Sequence, residues 1–256
     1  MLQVRGVSKR FGGLVALRDL DLDVNDSEIL GVIGPNGAGK STLLNVISGA
    51  YPASAGSLSL AGADITALKA HERARLGIAR IFQASTLFMS LSALDNVFYG
   101  CHLNYGTAGW KRMVRSRECR QEEAGLRLKA AQILESMGLG EVRDELACNL
   151  PHGHQRALSI CVALATEPRL LLLDEPVTGM NPIETQAMAR RIEEIRASGI
   201  TIVLVEHDMK TVMGLCDRLV VLNFGEKIAE GLPKEIQQNA CVIEAYLGAE
   251  DECDVA

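Results

Sequence analysis

The segment 28-EILGVIGPNGAGKSTLLNVISG-49 constrains this chain more than any other stretch. It opens as a short apolar run, breaks at closely spaced glycines, and resumes with Leu43, Leu44 and Ile47 at helical spacing. The pattern reads as strand, glycine-rich loop, helix. Within it, 34-GPNGAGKS-41 fits G-x-x-x-x-G-K-[ST] in the strand-to-helix setting the motif requires. Such glycines let backbone N–H groups turn inward around phosphate oxygens, and the helix N-terminus adds a favourable dipole. The expected phosphate ligands are Gly34, Asn36, Gly37, Ala38, Gly39, Lys40, Ser41 and Thr42. Lys40 is expected to reach the β- and γ-phosphates, and the Ser41 hydroxyl to ligate Mg²⁺.

A chain that carries this loop needs a sheet to mount it on, and the remaining pattern supplies one. Leu2, Val4 and Val7, then Leu20, Leu22 and Val24, alternate as half-buried strands. From about 92 to 165 the pattern is mostly helical, with a basic patch at 111-KRMVRSRECR-120 that reads as a solvated helix face. Beyond it, 169-RLLLLDEP-176 and 200-ITIVLVEHD-208 are buried strands separated by a polar helix from Pro182 to about Ser198. A hairpin at 219-LVVLNFGEKIAEG-231 and a short helical tail close the chain. Buried strands alternating with helices predict an α/β domain built on a mostly parallel sheet.

Strand ends are where such sheets bind ligands. Asp174 and Glu175 end one buried strand. Taken alone an Asp-Glu pair there is only the start of a loop. Beside a phosphate loop, Asp174 is expected to hold Mg²⁺ and Glu175 to activate the attacking water as general base. His207 ends the next strand and is expected near the γ-phosphate. Gln83, in 81-IFQ-83, closes another strand.

Composition narrows the setting. At 256 residues the chain can bury a large core unaided. A net charge of −6 argues against non-specific nucleic-acid binding, which runs on excess Lys and Arg. Seven cysteines without any C-x-x-C pairing fit a reducing compartment better than a disulfide framework. The N-terminus lacks the apolar segment of a signal peptide, and no run approaches the ~18 apolar residues of a membrane helix. A role at a membrane is therefore expected from the cytoplasmic side, through a partner.

The order GPNGAGKST, IFQ, a glycine-centred helix start, LLLLDEP and VEHD resembles the ATP-binding subunit of ABC transporters over nearly the whole chain. Within that family, 10-RFGGLVAL-17, 207-HDMKTVMGLCDR-218 and 233-PKEIQQNACVIEAYLG-248 are similar to importers of branched-chain amino acids. The resemblance implies a P-loop ATPase core at about 1–88 and 160–232, with an N-terminal antiparallel β portion. It also implies an inserted helical subdomain at about 89–159 and a C-terminal tail at about 233–256. By the same resemblance Phe11 stacks on adenine, Gln83 senses Mg²⁺ and the γ-phosphate, and His207 contacts the γ-phosphate. ATP and Mg²⁺ are the implied cofactors. The implied partners are permease subunits seated beside the Gln83 loop, a second ATP-binding subunit and, indirectly, a periplasmic binding protein, at the cytoplasmic face of the inner membrane.

One motif departs from the family. Its L-S-G-G-Q signature, which grips the γ-phosphate bound to the other subunit, is here Leu150, Pro151, His152, Gly153, His154, followed by Gln155. Two histidines at i, i+2 diverge on a helix and have no nearby cysteine, so they make a poor metal site. Nor does any nucleophile adjoin them. The expectation is a divergent signature: Pro151 is compatible with a first helical turn, but the serine hydroxyl is gone. An imidazole of His152 or His154 that donated in its place would give a pH-dependent ATPase near pH 6–7. Asn181, where the family often has aspartate, is a lesser departure. Because the chain's own phosphate loop looks intact, the weakness is exported to the partner's site, which predicts a heterodimer with unequal sites. Leucine-type amino acids, urea, amides and aromatic acids remain possible cargoes. So do a lipid exporter on the same fold, and a nucleotide-gated binding module with vestigial hydrolysis.

Overall fold

The computed structural model describes residues 1–81, 87–101 and 117–250, with 117–119 and 247–250 as backbone only. Gln83 and most of the basic stretch 111–120 lie outside the described residues. The chain divides into two compact units: Met1–Arg80 with Arg169–Pro176 and Ile192–Ala256, and Ile81–Pro168 with Val177–Arg191.

In the first unit, β1 (Leu2–Phe11), β2 (Leu14–Val24), β4 (Ala55–Leu60) and β5 (Ala63–Asp64) form an antiparallel sheet in the order β2-β1-β4-β5. The alternating apolar residues of β1 and β2 all point into one core, with Leu2, Val4, Val7, Leu20, Leu22 and Val24 buried. A second sheet runs β10-β9-β3-β8-β7-β6, made of β3 (Ile29–Ile33), β6 (Ile78–Ile81), β7 (Leu170–Asp174), β8 (Thr201–Val205), β9 (Arg218–Asn223) and β10 (Glu226–Gly231). Its centre is parallel, β3 pairing with both β8 and β9 and β7 with β8, while β10 closes it antiparallel. Every residue of β3, β7 and β8 is buried. That is the signature of parallel strands covered on both faces, and it explains why these segments read as continuous apolar runs without alternation. Each fully buried Leu, Ile or Val there contributes about 1.5–3 kcal/mol.

The register decides what the sheet presents. Val32 pairs with Val205, and Asp174 pairs with the same Val205. Ile33 pairs with Val221 of β9. The carboxyl ends of β3, β7, β8 and β9 are therefore nearly level, and everything that follows them in sequence gathers at one edge. Helix α1 (Lys40–Ser48) runs back from that edge with Leu43, Leu44, Val46 and Ile47 buried, and the short α2 (Ala70–Arg75) precedes β6.

In the second unit, α3 (Ala93–Gly100), α4 (Arg117–Ser136) and α5 (His152–Leu164) pack together. Ser92 caps α3 by accepting from Asp95 N at 3.0 Å. Arg127 of α4 pairs with Asp95 at 3.0 Å and lies 4.5 Å over the Phe98 ring. No helix among the described residues is long and apolar enough to cross a membrane.

Candidate functional site

The loop between β3 and α1 is held in a shape that only its glycines allow. Gly34 has φ +146°, and a Cβ there would run into the Leu222 carbonyl oxygen of β9. Gly39, at φ +102°, caps α1 in a left-handed conformation. The loop is tied down by Gly225 N donating to Ala38 O at 3.0 Å and by Ala38 N donating to Pro35 O at 3.2 Å. Lys40 Nζ donates to the carbonyls of Gly34 at 2.6 Å and Pro35 at 2.9 Å. Burial lowers the Lys40 pKa, while the nearby Glu175 and Asp174 carboxylates push it back up.

Two carboxylates adjacent in sequence occupy different environments. The sequence predicted both as the strand's last residues, but β7 ends at Asp174. Glu175 leaves the strand with φ +51°, a left-handed value that a residue with a side chain seldom adopts, while its N–H donates to Val205 O at 2.9 Å. The two side chains meet different partners. Asp174 is buried, and its Oδ2 accepts from Arg80 Nη2 at 3.1 Å. Burial raises its carboxyl above the usual range, and Arg80 opposes the rise. Glu175 is partly exposed, and its Oε1 stands 4.0 Å from His207 Nδ1. His207 also differs from expectation, since β8 ends at Val205 and the histidine sits two residues beyond, with its side chain 62% exposed. Asp208 then caps the next helix, α7 (Met209–Leu215), by accepting from Thr211 N.

A cavity of about 660 Å³ opens over the loop, lined by Phe11, Leu14, Arg18, Asn36, Gly37, Ala38, Gly39, Lys40, Ser41, Thr42, Glu175 and Phe224, among others. Phe11 ends β1 with an edge-on contact to Tyr51 (centroids 5.3 Å apart) and with Lys9 Nζ 4.8 Å from its ring centre. Phe224, 80% exposed at φ +45°, sits at the tip of the β9–β10 hairpin, where Arg18 N donates to Gly225 O. The sequence reading missed both Phe224 and Arg80. Their signals were an aromatic residue at a hairpin tip and a charge inside the strand 78-IARI-81.

The divergent motif folds within the second unit. Leu150 is buried, and Pro151 precedes α5 as its N-cap with φ −55° and ψ 154°, one position earlier than a first-turn proline. Pro151 offers no side-chain cap, and the first helical bond runs from Gln155 N to Pro151 O at 3.0 Å. The Gln155 amide turns back to donate to Ala147 O at 3.2 Å and Leu150 O at 3.0 Å, so it holds the approach to the helix. His152 is exposed with its ring beside Gly179, and Gly153 faces the Glu184 carboxylate. His154 is half-buried, its Nδ1 enclosed without a hydrogen-bond partner among the described residues. Asn181 has a local reason to be there. Its Oδ1 accepts from Ile183 N at 2.9 Å and Glu184 N at 3.0 Å, and Glu184 accepts from Asn181 N, a reciprocal cap for α6 (Pro182–Ala197).

A phosphate loop, paired strand-end carboxylates and a helix-start motif are thus carried on one chain. The profile of the ABC transporter family matches residues 17–178. This chain belongs to that family. A second profile, that of the branched-chain amino acid ATP-binding cassette transporter, matches residues 226–252. The high-affinity branched-chain amino acid transport ATP-binding protein LivG of Salmonella typhimurium is 39% identical over 249 residues, spanning 97% of this chain and 98% of its own. A solved ATP-binding cassette of an ABC transporter, in its ADP conformation, superposes with TM-score 0.85 at 32% identity over 97% of this chain and 98% of that one. A dimeric cassette in a post-hydrolysis state, bound to ADP and Pi, superposes with TM-score 0.77 at 25% identity over 91% of this chain and 99% of that one. As an ABC transporter subunit, the chain binds ATP and couples its hydrolysis to transport. Family membership implies a dimeric ATPase arrangement with membrane permease partners, and peripheral association with the membrane.

Proposed function

We propose that this chain is the ATPase subunit of an importer for branched-chain amino acids, with hydrolysis run by Glu175 and His207 over a magnesium-bound triphosphate. The observation that carries the hydrolytic part of the reading is the different company of the adjacent carboxylates, Asp174 buried on Arg80 and Glu175 at a left-handed φ in the cavity wall beside His207, while similarity to LivG supports the cargo. Two carboxyl groups placed in different surroundings can take different roles.

The loop amides from Asn36 to Thr42 receive the phosphates, and Lys40 exchanges the Gly34 and Pro35 carbonyls for phosphate oxygens. Phe11 offers a ring face to the base. The donors available for a cation are the Ser41 hydroxyl and the Asp174 carboxylate, joined by Gln83 if the family pattern holds. These are few and hard, which suits Mg²⁺ completing its shell with phosphate oxygens and water. Among the described residues no group of three His, Cys, Asp or Glu side chains is placed to hold a metal. When bound, Mg²⁺ neutralises charge on the phosphates. Glu175 takes the proton of the attacking water, and His207 steadies the γ-phosphate from two residues beyond the neighbouring strand.

The partner is a different ATP-binding subunit. Its ordinary signature completes the site on this chain, whereas Leu150, Pro151, His152, Gly153 and His154 face the partner's nucleotide without a serine hydroxyl. Permease subunits and, through them, a periplasmic binding protein complete the importer, with this chain at the cytoplasmic face of the inner membrane. Glu175→Gln is expected to cut turnover by about 10²–10⁴-fold while ATP binding persists. Sustained turnover in that variant rules out the base assignment. Loss of labelled leucine uptake on deletion of the gene checks the cargo, and undiminished uptake refutes it.

A further inference from the structure

Two arginines with buried side chains pack against α1, and they differ in what they hold. Among the described residues Arg73, 1% exposed, donates to backbone carbonyls: Val46 and Ile47 at the end of α1, and Thr66 and Leu68 beyond it. It staples one helix end to a turn. Among its bonds to described residues, Arg80 donates to side chains: Asn45 Oδ1 at 2.7 Å, Ser48 Oγ at 3.4 Å and Asp174 Oδ2 at 3.1 Å. Asn45 lies one turn beyond Ser41 on α1, and its amide donates to the Ser41 carbonyl at 2.7 Å. The Arg80 guanidinium therefore joins the helix that carries Ser41 to the strand that carries Asp174.

Stability alone does not account for such a pair. The Arg80 and Asp174 side chains are only 6% and 8% exposed, and the desolvation of two charges commonly offsets their attraction. What a guanidinium supplies, and neither an apolar residue nor a lysine does, is a rigid planar fork that fixes the orientation of its acceptors. Here one arm of the fork engages the helix and the other engages one oxygen of the carboxylate.

We propose that Arg80 is a positioning residue for magnesium: it fixes the Asp174 carboxylate relative to the Ser41 helix, so that the two proposed ligands are presented as a pair. The proposal rests on the magnesium reading given above. Arg80 acts through Asp174 and touches neither nucleotide nor ion. Losing the fork leaves the contacts of the loop amides and Lys40 with phosphate in place, because none of them passes through Arg80. The loss should fall on the part of nucleotide affinity that the metal adds. A purely structural arginine would lower affinity with and without metal alike.

The test is calorimetric titration of ADP into the full chain, once with Mg²⁺ and once with EDTA, for the natural protein, Arg80→Lys and Arg80→Gln. The Mg²⁺ gain is the ratio of the two dissociation constants. In Arg80→Gln the gain is expected to fall about tenfold, with affinity in EDTA within about twofold of natural. Arg80→Lys keeps the buried charge but reaches one partner at a time, and is expected to recover only part of the gain. If Arg80→Gln does not fold, Arg80→Lys decides alone. A full gain in Arg80→Lys overturns the proposal, as does an equal loss of affinity in both solutions. A natural chain with no Mg²⁺ gain overturns the magnesium reading itself, so the two failures are distinct.

Discussion

Pro151→Ser separates the physics of a helix start from the chemistry of a signature. Pro151 holds φ −55° and ψ 154°, an extended N-cap conformation that serine adopts readily, so the substitution needs no backbone movement. Proline gives α5 no side-chain cap. A serine oxygen accepting from an amide of the first turn is worth about 1 kcal/mol. For a chain of this size that raises the melting temperature by about 2–4 °C. The same hydroxyl, pointing outward, can donate to a γ-phosphate in a facing subunit. A hydrogen bond to a charged group contributes about 1.5–3 kcal/mol, or about 10- to 150-fold in affinity or rate. Pro151→Ala is the control, since it removes the ring without adding a hydroxyl. The assays are ATP hydrolysis with Mg²⁺ and thermal melting, on the natural chain and both variants. Serine is expected to raise both melting temperature and turnover, and alanine neither. A serine variant that melts higher but turns over no faster refutes the claim that the missing hydroxyl limits hydrolysis. In that case the Pro-His-Gly-His start is competent, and a homodimer of this chain is sufficient.

Two further outcomes follow from backbone geometry. Gly34→Ala places a methyl group against the Leu222 carbonyl at φ +146°, where neither partner can yield. A stability loss of about 3 kcal/mol in denaturant titration is expected, together with loss of nucleotide binding, and near-natural values would show that the loop is not held in this shape. Asp208→Ala removes the cap of α7 just beyond His207 and should cost about 1 kcal/mol at neutral pH. The Asp208 carboxyl lies below its usual 3.8, chiefly through the Thr211 hydroxyl bond. Its contribution is therefore complete above that value and lost as the pH falls through the depressed folded-state one. The stability gap between natural and variant should close in acid, and a gap independent of pH would count against the cap.

Much of the site was legible because local chemistry dictates it. Only glycines permit the turn at Gly34 and Gly39, and that turn between a buried strand and α1 is the pattern expected of a phosphate loop. The buried strands 170-LLLLD-174 and 201-TIVLV-205 were equally legible, since a parallel strand covered on both faces has no polar side to show. Element ends were less so. The strand reading ran on through Glu175 and His207, because nothing in the letters marks where pairing stops. The left-handed φ of Glu175 appears only once its N–H is committed to Val205. Pro151 moved by one position for a similar reason, a proline being acceptable on either side of a helix start.

What the sequence determined by itself, then, is the menu: which loop meets phosphate, which strands lie inside, and which helix start has lost its serine. What the tertiary structure alone decided is company. Arg80 and Asp174 are 94 residues apart in sequence, and Phe11 and Phe224, which line one cavity, are 213 apart. Arg80 meets Asp174 because β6 and β7 are neighbours in one sheet, and the register of β3, β7, β8 and β9 brings the ends of those strands level. Contacts between residues distant in sequence depend on that register and on packing, and neither is written in any single stretch of the chain.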